Sequence, residues 1–197
     1  MTMDNLTIKI ILGSTRQGRF GDKAAHWIFE LAEKKEGLDV ELLDLRDYDM
    51  PFFNEPMSPA MIQTPYANEA VARWTKKIAE ADGFIFATAE YSHGYPAVLK
   101  NALDWVYREW NNKPVGFVAW GGVGGARSVE QLREVAVELQ MAPIRNAVHI
   151  MAPWMIVDEK GALKPGALDS YEAAAEGMLA QLLWWGKALK AGREGNI

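Results

Sequence analysis

The stretch Leu6-Thr7-Ile8-Lys9-Ile10-Ile11-Leu12-Gly13-Ser14-Thr15-Arg16-Gln17-Gly18-Arg19-Phe20-Gly21 decides how the chain is read. Its first seven residues form a short apolar, β-branched run, the kind that makes a strand covered on both faces. The run stops at a glycine, two hydroxyls and two arginines follow, and a helical pattern begins at about Gly21. A helix N-terminus exposes unpaired N–H groups and the positive end of a dipole, so it favours an anion. Hydroxyls and guanidiniums on the same loop point to a phosphate as that anion.

Four more runs resemble the first: Val40–Leu45, Gly83–Ala89, Pro114–Trp120 and Ala147–Ile150. Apolar stripes at helical spacing separate them. Ala24, Ile28, Leu31 and Ala32 make one, and Val71, Trp74, Ile78 and Ala81 another. Leu99, Ala102, Leu103 and Val106 follow Pro96. Ser128 and Gln131 have capping-box spacing ahead of Leu132, Val135, Ala136 and Leu139, and Asp169 with Glu172 repeats that spacing before the last helix. Strand and helix alternate five times. This predicts an α/β, flavodoxin-like doubly wound, five-stranded parallel sheet of order 2-1-3-4-5 with helices on both faces. One domain of residues 1–190 is expected, with residues 191–197 a frayed tail. Ligands of such sheets bind beyond the carboxyl ends of the strands, which selects the loops after Leu12, Ala89 and Trp120. The irregular stretch 47–65 reads as a lid or an interface loop.

Composition narrows the partners. The chain has 197 residues, 49% of them hydrophobic and 24% charged, and a net charge of −5. That is enough chain for one sizeable core, and the acidic balance gives no support to nucleic acid or an anionic membrane as a partner. The absence of cysteine excludes disulfides, thiolate catalysis and iron–sulfur ligation. With no basic segment leading an apolar run and no run long enough to span a bilayer, a cytoplasmic protein is expected. No metal site is expected either.

Gly13-x4-Gly18 lacks the Lys and Ser/Thr that a P-loop needs, since Arg19 and Phe20 stand there. The first turn also lacks the second glycine of a dinucleotide fingerprint. A phosphate monoester fits better. The second loop, Ala89-Glu90-Tyr91-Ser92-His93-Gly94-Tyr95-Pro96, offers aromatics and free backbone groups suited to the edge and face of a flat heteroaromatic ring. The third, Trp120-Gly121-Gly122-Val123-Gly124-Gly125-Ala126-Arg127, carries four glycines in five residues, more than one tight turn needs.

These three segments, with Leu99-Lys100-Asn101-Ala102-Leu103-Asp104-Trp105, resemble the NADPH-dependent FMN reductase family of flavodoxin-like flavoproteins, which includes azoreductase, quinone reductase and chromate reductase members. The resemblance runs from about Leu6 to about Lys190. It implies that Ser14 and Arg16 bind the FMN phosphate, with Arg19, Phe20 and Gly21 completing the loop. It further implies that Ala89, Glu90, Tyr91, Ser92, His93 and Gly94 border the isoalloxazine, that Gly121 and Gly122 approach its pyrimidine edge, and that Trp120 belongs to the cofactor site. The chain departs from the family pattern at Arg19, Gly21, Ala89 and Ser92, where Ser, Asn, Pro and Asn are common.

The activity implied is hydride passage from NADPH or NADH through FMN to a small acceptor, by a ping-pong cycle: a quinone, azo compound, metal oxyanion or free flavin. No side chain is assigned an acid or base role. Eight tryptophans, Trp105, Trp110, Trp184 and Trp185 among them, add the expectation of a homodimer or homotetramer. The alternatives are a flavodoxin-type electron carrier serving a protein partner and, lacking an acidic cluster at the first strand's end, a receiver-type signalling module.

Overall fold

In the computed structural model, which describes residues 5–62 and 66–195, Leu6–Leu12 forms β1 at the middle of the molecule. It is flanked by β2 (Leu38–Asp44) on one side and β3 (Gly83–Ala89) on the other. Beyond β3 lie β4 (Pro114–Gly121) and β5 (Ala142–Met151), and the five strands run parallel in the order β2-β1-β3-β4-β5. The expected sheet is therefore the observed one. Helices α1 (Gly21–Glu33) and α5 (Glu172–Arg193) cover one face, where Ala24, Ile28, Met178 and Leu182 pack on Ile8, Ile10 and Leu12. Helices α2 (Glu69–Ala79), α3 (Ala97–Asp104) and α4 (Ala126–Glu138) cover the other, where Trp74, Leu103 and Leu132 share a core with Ile11, Phe86 and Phe117. Burial on both faces explains why β1 and β3 are largely apolar, while Lys9 of β1 is buried as an ion pair with Glu41.

Differences from the sequence reading concentrate at the sheet edges and helix ends. Strand β5 starts five residues before Ala147, because an edge strand tolerates the polar run Arg145-Asn146. Its outer backbone groups are covered by side chains. Gln181 accepts from Asn146 N at 2.8 Å, the Tyr171 hydroxyl from Met151 N at 3.1 Å, and Arg133 donates to the Ile144 and Arg145 carbonyls. Strand β2 begins at Leu38 and ends at Asp44, so Leu45 already belongs to a short 3-10 turn. Helix α3 stops at Asp104, short of Val106.

Ser128 is not a cap. Gly125, in the left-handed region, precedes α4, and the Ser128 hydroxyl donates to the Ala89 carbonyl at 3.1 Å from inside the helix. Asp169 opens a 3-10 turn instead of capping α5. Helix α5 runs to Arg193, past the expected tail boundary. Arg193 there donates to Asp82 and to the Asn112 carbonyl, and Lys190 also pairs with Asp82. Asn196 and Ile197 of the expected tail, like 63–65 of the irregular stretch, lie outside the described residues. No helix among the described residues is long and apolar enough to cross a membrane.

Lys113, at the foot of β4, is buried, and its ammonium donates to the Ile78 and Ala79 carbonyls at the end of α2. Burial pushes this amine down to about 8, with Arg193 pushing the same way and Asp82 and Glu109 opposing. Between that value and the ordinary 10.5 the unfolded chain holds the proton more tightly. The lysine's contribution to stability therefore rises with pH across the window. A Lys113→Met variant, which lacks this titration, should gain on wild type at pH 7.5 relative to pH 10 by about 1–3 kcal/mol. Denaturant unfolding of both proteins at the two pH values measures the change, and a pH-independent difference would refute it.

Candidate functional site

Strand register brings the three glycine-bearing loops to one edge of the sheet. Leu12 pairs with Asp44 on one side and Ala87 on the other, and Ala89 pairs with Trp120. Gly13 continues the ladder, donating to the Ala87 carbonyl at 2.9 Å, and a methyl group there would stand 2.8 Å from a Leu99 methyl. The first loop is then held by its carbonyls. Arg19 bonds the Ser14 carbonyl, and Arg46 bonds those of Thr15 (3.2 Å) and Arg16 (2.6 Å). In a trans peptide the C=O and the following N–H point in opposite directions. The N–H groups of Thr15, Arg16 and Gln17 therefore face away from these two guanidiniums, an arrangement of successive donors that suits an anion. No side chain caps the N-terminus of α1, in contrast to α2, where Asn68 accepts from two backbone N–H groups.

Arg19 is placed differently from expectation. Its side chain is 2% exposed and lies under the loop, paired with both carboxylate oxygens of Asp44 and with Asp22. Its guanidinium is a strut and not a phosphate donor, because two carboxylates and a carbonyl already occupy it. Burial tends to raise the Asp44 carboxyl, but hydrogen bonds from Arg19 and from Arg46 N, with the charges of both arginines, hold it below its ordinary 3.8. Arg16, by contrast, is exposed and faces a cleft of about 200 Å³ beside Gly18, Phe20, Lys23 and Trp154. Ser14 is buried, with its hydroxyl 2.7 Å from the Tyr91 hydroxyl, so the first and second loops touch. Phe20 meets Trp120 edge-on at 5.9 Å, and a methyl on Gly21 would stand 2.7 Å from Leu12 and 3.0 Å from Trp120. Packing alone accounts for Gly21.

The second loop is a tight reversal. Tyr91 and Gly94 exchange backbone hydrogen bonds, and Ser92 and His93 take φ of 50° and 67°. Left-handed backbone favours Asn among non-glycine residues, which is a conformational reason for Asn being common where Ser92 stands. His93 is exposed, and its carbonyl accepts from Gln131. Glu90 is bound to the third loop, accepting from Arg127 N at 3.2 Å and pairing with the Arg127 guanidinium at 2.7 Å. Ala89 is buried and accepts from Ser128.

Three of the four glycines between 121 and 125 have an internal reason. A methyl at Gly121 would crowd Glu90 at 3.0 Å, at Gly124 His149 at 2.8 Å, and at Gly125 Ala119 at 2.6 Å. Gly122 has none, since its nearest neighbour is Trp154 at an ordinary 3.7 Å and its φ is not positive. Gly18 also has open space on its outer side, although its φ of 61° already favours glycine. Bare backbone at Gly18 and Gly122, outward N–H groups and an exposed Arg16 fit a phosphate-tailed flat ring passing from the first loop to the third. Val123, Met151, Trp154 and Met155 leave an exposed apolar rim beside Gly122. Asp44, Arg46, Lys23, Arg127 and Trp154 join the site without having been assigned to it from sequence.

The family described as NADPH-dependent FMN reductase matches residues 6–154. The chain belongs to that family. It is 41% identical over 143 residues to an NAD(P)H-dependent FMN reductase of Schizosaccharomyces pombe, covering 72% of each chain. It is 33% identical over 136 residues to an NAD(P)H:quinone oxidoreductase of Solanum tuberosum, covering 66% of this chain and 67% of that one. Among solved structures it superposes on FerB, a flavoenzyme NAD(P)H:(acceptor) oxidoreductase of Paracoccus denitrificans. The TM-score is 0.73 at 22% identity, covering 93% of this chain and 98% of the other, a likeness of fold. Membership makes this FMN reductase homologue an NAD(P)H-dependent oxidoreductase by class, with FMN as its cofactor.

Proposed function

We propose that the chain oxidises NAD(P)H and reduces a flat, largely apolar acceptor, a quinone first among them, with donor and acceptor occupying one face of the site in turn. FMN, when bound, supplies the two-electron chemistry. The observation that carries the reading is the pairing of an anion-ready first loop with a backbone left bare at Gly122, at the same sheet edge. Ser14, Arg16 and the outward N–H groups would hold the phosphate, residues 89–94 would border the ring, and Gly121 with Gly122 would face its polar edge. Glu90 is tied to Arg127 and His93 sits on an exposed turn, so neither is given a proton to move.

The apolar rim of Val123, Met151, Trp154 and Met155 favours a quinone or azo compound over a hydrated metal oxyanion, whose charge would lose solvation there. The name of the potato relative agrees with that order. The homo-oligomer belongs to the same proposal. Trp105 and Trp110 are core residues, but Trp184 is 65% exposed and Trp185 packs on it, an aromatic surface that a second copy would cover.

Rapid mixing tests the cycle. Flavin-loaded protein should be bleached by NADPH without acceptor, and the bleached protein reoxidised by a quinone after the nicotinamide is removed. A requirement for both substrates at once would overturn alternation. Arg16→Ala should weaken FMN retention by about 1.5–3 kcal/mol, the scale of one charge-assisted hydrogen bond, as measured by flavin titration. Unchanged affinity would refute the reading of the first loop.

A further inference from the structure

A phosphate monoester carries close to two negative charges near neutral pH, and the chain that must hold it has a net charge of −5. One exposed arginine leaves about half of that charge without a cation. Arg19 cannot supply the difference, because Asp44 and Asp22 occupy its guanidinium beneath the loop. Lys23 can. It is the third residue of α1, its side chain lines the same cleft as Arg16, and among the described residues neither side chain forms a hydrogen bond or ion pair. The neighbouring acid, Asp22, is engaged by Arg19 and not by Lys23.

A lysine in the first turn of a helix opposes the helix dipole, so it is unfavourable there unless an anion is bound in front of it. Phe20, Pro153 and Trp154 wall the cleft with apolar surface, which strengthens a charge pair formed inside it. We infer that Lys23 is the second phosphate-binding cation of this chain, lining the same cleft as Arg16, and that it replaces Arg19 in that role. The inference rests on the FMN reading above and extends it to a residue the family resemblance does not name.

Flavin-free protein titrated with FMN and with riboflavin, which lacks the phosphate, separates the possibilities. Lys23→Gln should raise the FMN dissociation constant about tenfold, leave riboflavin binding unchanged and flatten the salt dependence of FMN binding. Lys23→Arg should restore most of the loss. FMN affinity unchanged in Lys23→Gln, or an equal loss for both flavins, would overturn the role of Lys23 while leaving the cofactor in place. Wild-type protein that takes up neither flavin would overturn the cofactor reading itself and this inference with it.

Discussion

Asp44→Leu is expected to lower the unfolding free energy by about 3 kcal/mol, the low end of the cost of orphaning a buried charge, because Asp22 remains as a partial partner for Arg19. The same change should release the first loop, since Asp44 also accepts from Arg46 N while Arg46 holds the Thr15 and Arg16 carbonyls. FMN retention should therefore fall with stability, although Asp44 has no place in the cleft. Replacing both partners, Arg19→Met with Asp44→Leu, should recover much of the stability, because no unpaired charge is left behind. Acid gives an independent check. A carboxyl held below 3.8 in the folded state adds stability that is complete above 3.8 and is lost as pH falls through the lower folded value. The gap between wild type and Asp44→Leu should narrow over that range in denaturant unfolding. A gap that stays constant would mean that the ion pair is not its source.

The glycines of the third loop supply the second large effect. Gly125 has φ of 71°, and a methyl there would stand 2.6 Å from Ala119 Cβ and 2.8 Å from Trp120 N, where backbone must move. Left-handed strain and that clash together predict a loss of about 3–4 kcal/mol for Gly125→Ala. Gly122→Ala should stay within about 0.5 kcal/mol of wild type, because nothing in the protein opposes the methyl. Its effect should appear in FMN affinity instead, at about tenfold or more from lost close approach. Thermal unfolding and flavin titration of the two variants should thus give opposite profiles, and equal destabilisation by both would erase the distinction.

These cases show where sequence reading reaches its limit. Strands β1 and β3 are recovered to the residue because these central strands are mostly apolar, with Thr7, Lys9 and Thr88 the exceptions, and end at glycine or at loop residues. The ends of β5 are blurred, since an edge strand can carry Arg145 and Asn146 and let α5 cover its backbone. Ser128 has cap chemistry at cap spacing, yet Gly125 ends the loop earlier and the hydroxyl finds Ala89 instead.

In the site, residue type was legible and direction was not. Arg16 and Arg19 look equivalent along the chain, but an acid 25 positions beyond Arg19, aligned by the pairing of Leu12 with Asp44, draws one inward. The sequence carries a signal at Lys23, a cation in a helix's first turn whose adjacent acid lies three residues after an arginine. Glu90 and Arg127 could not be paired without knowing that β3 and β4 are neighbours.

The central claim, that the first loop grips FMN by its phosphate and leaves the ring open to redox partners, is tested most directly by the visible spectrum of the protein. The protein is incubated with excess FMN, desalted and then exposed to NADPH without air. Flavin bands that survive desalting and bleach with NADPH are the expected result. A colourless protein after desalting would contradict the account.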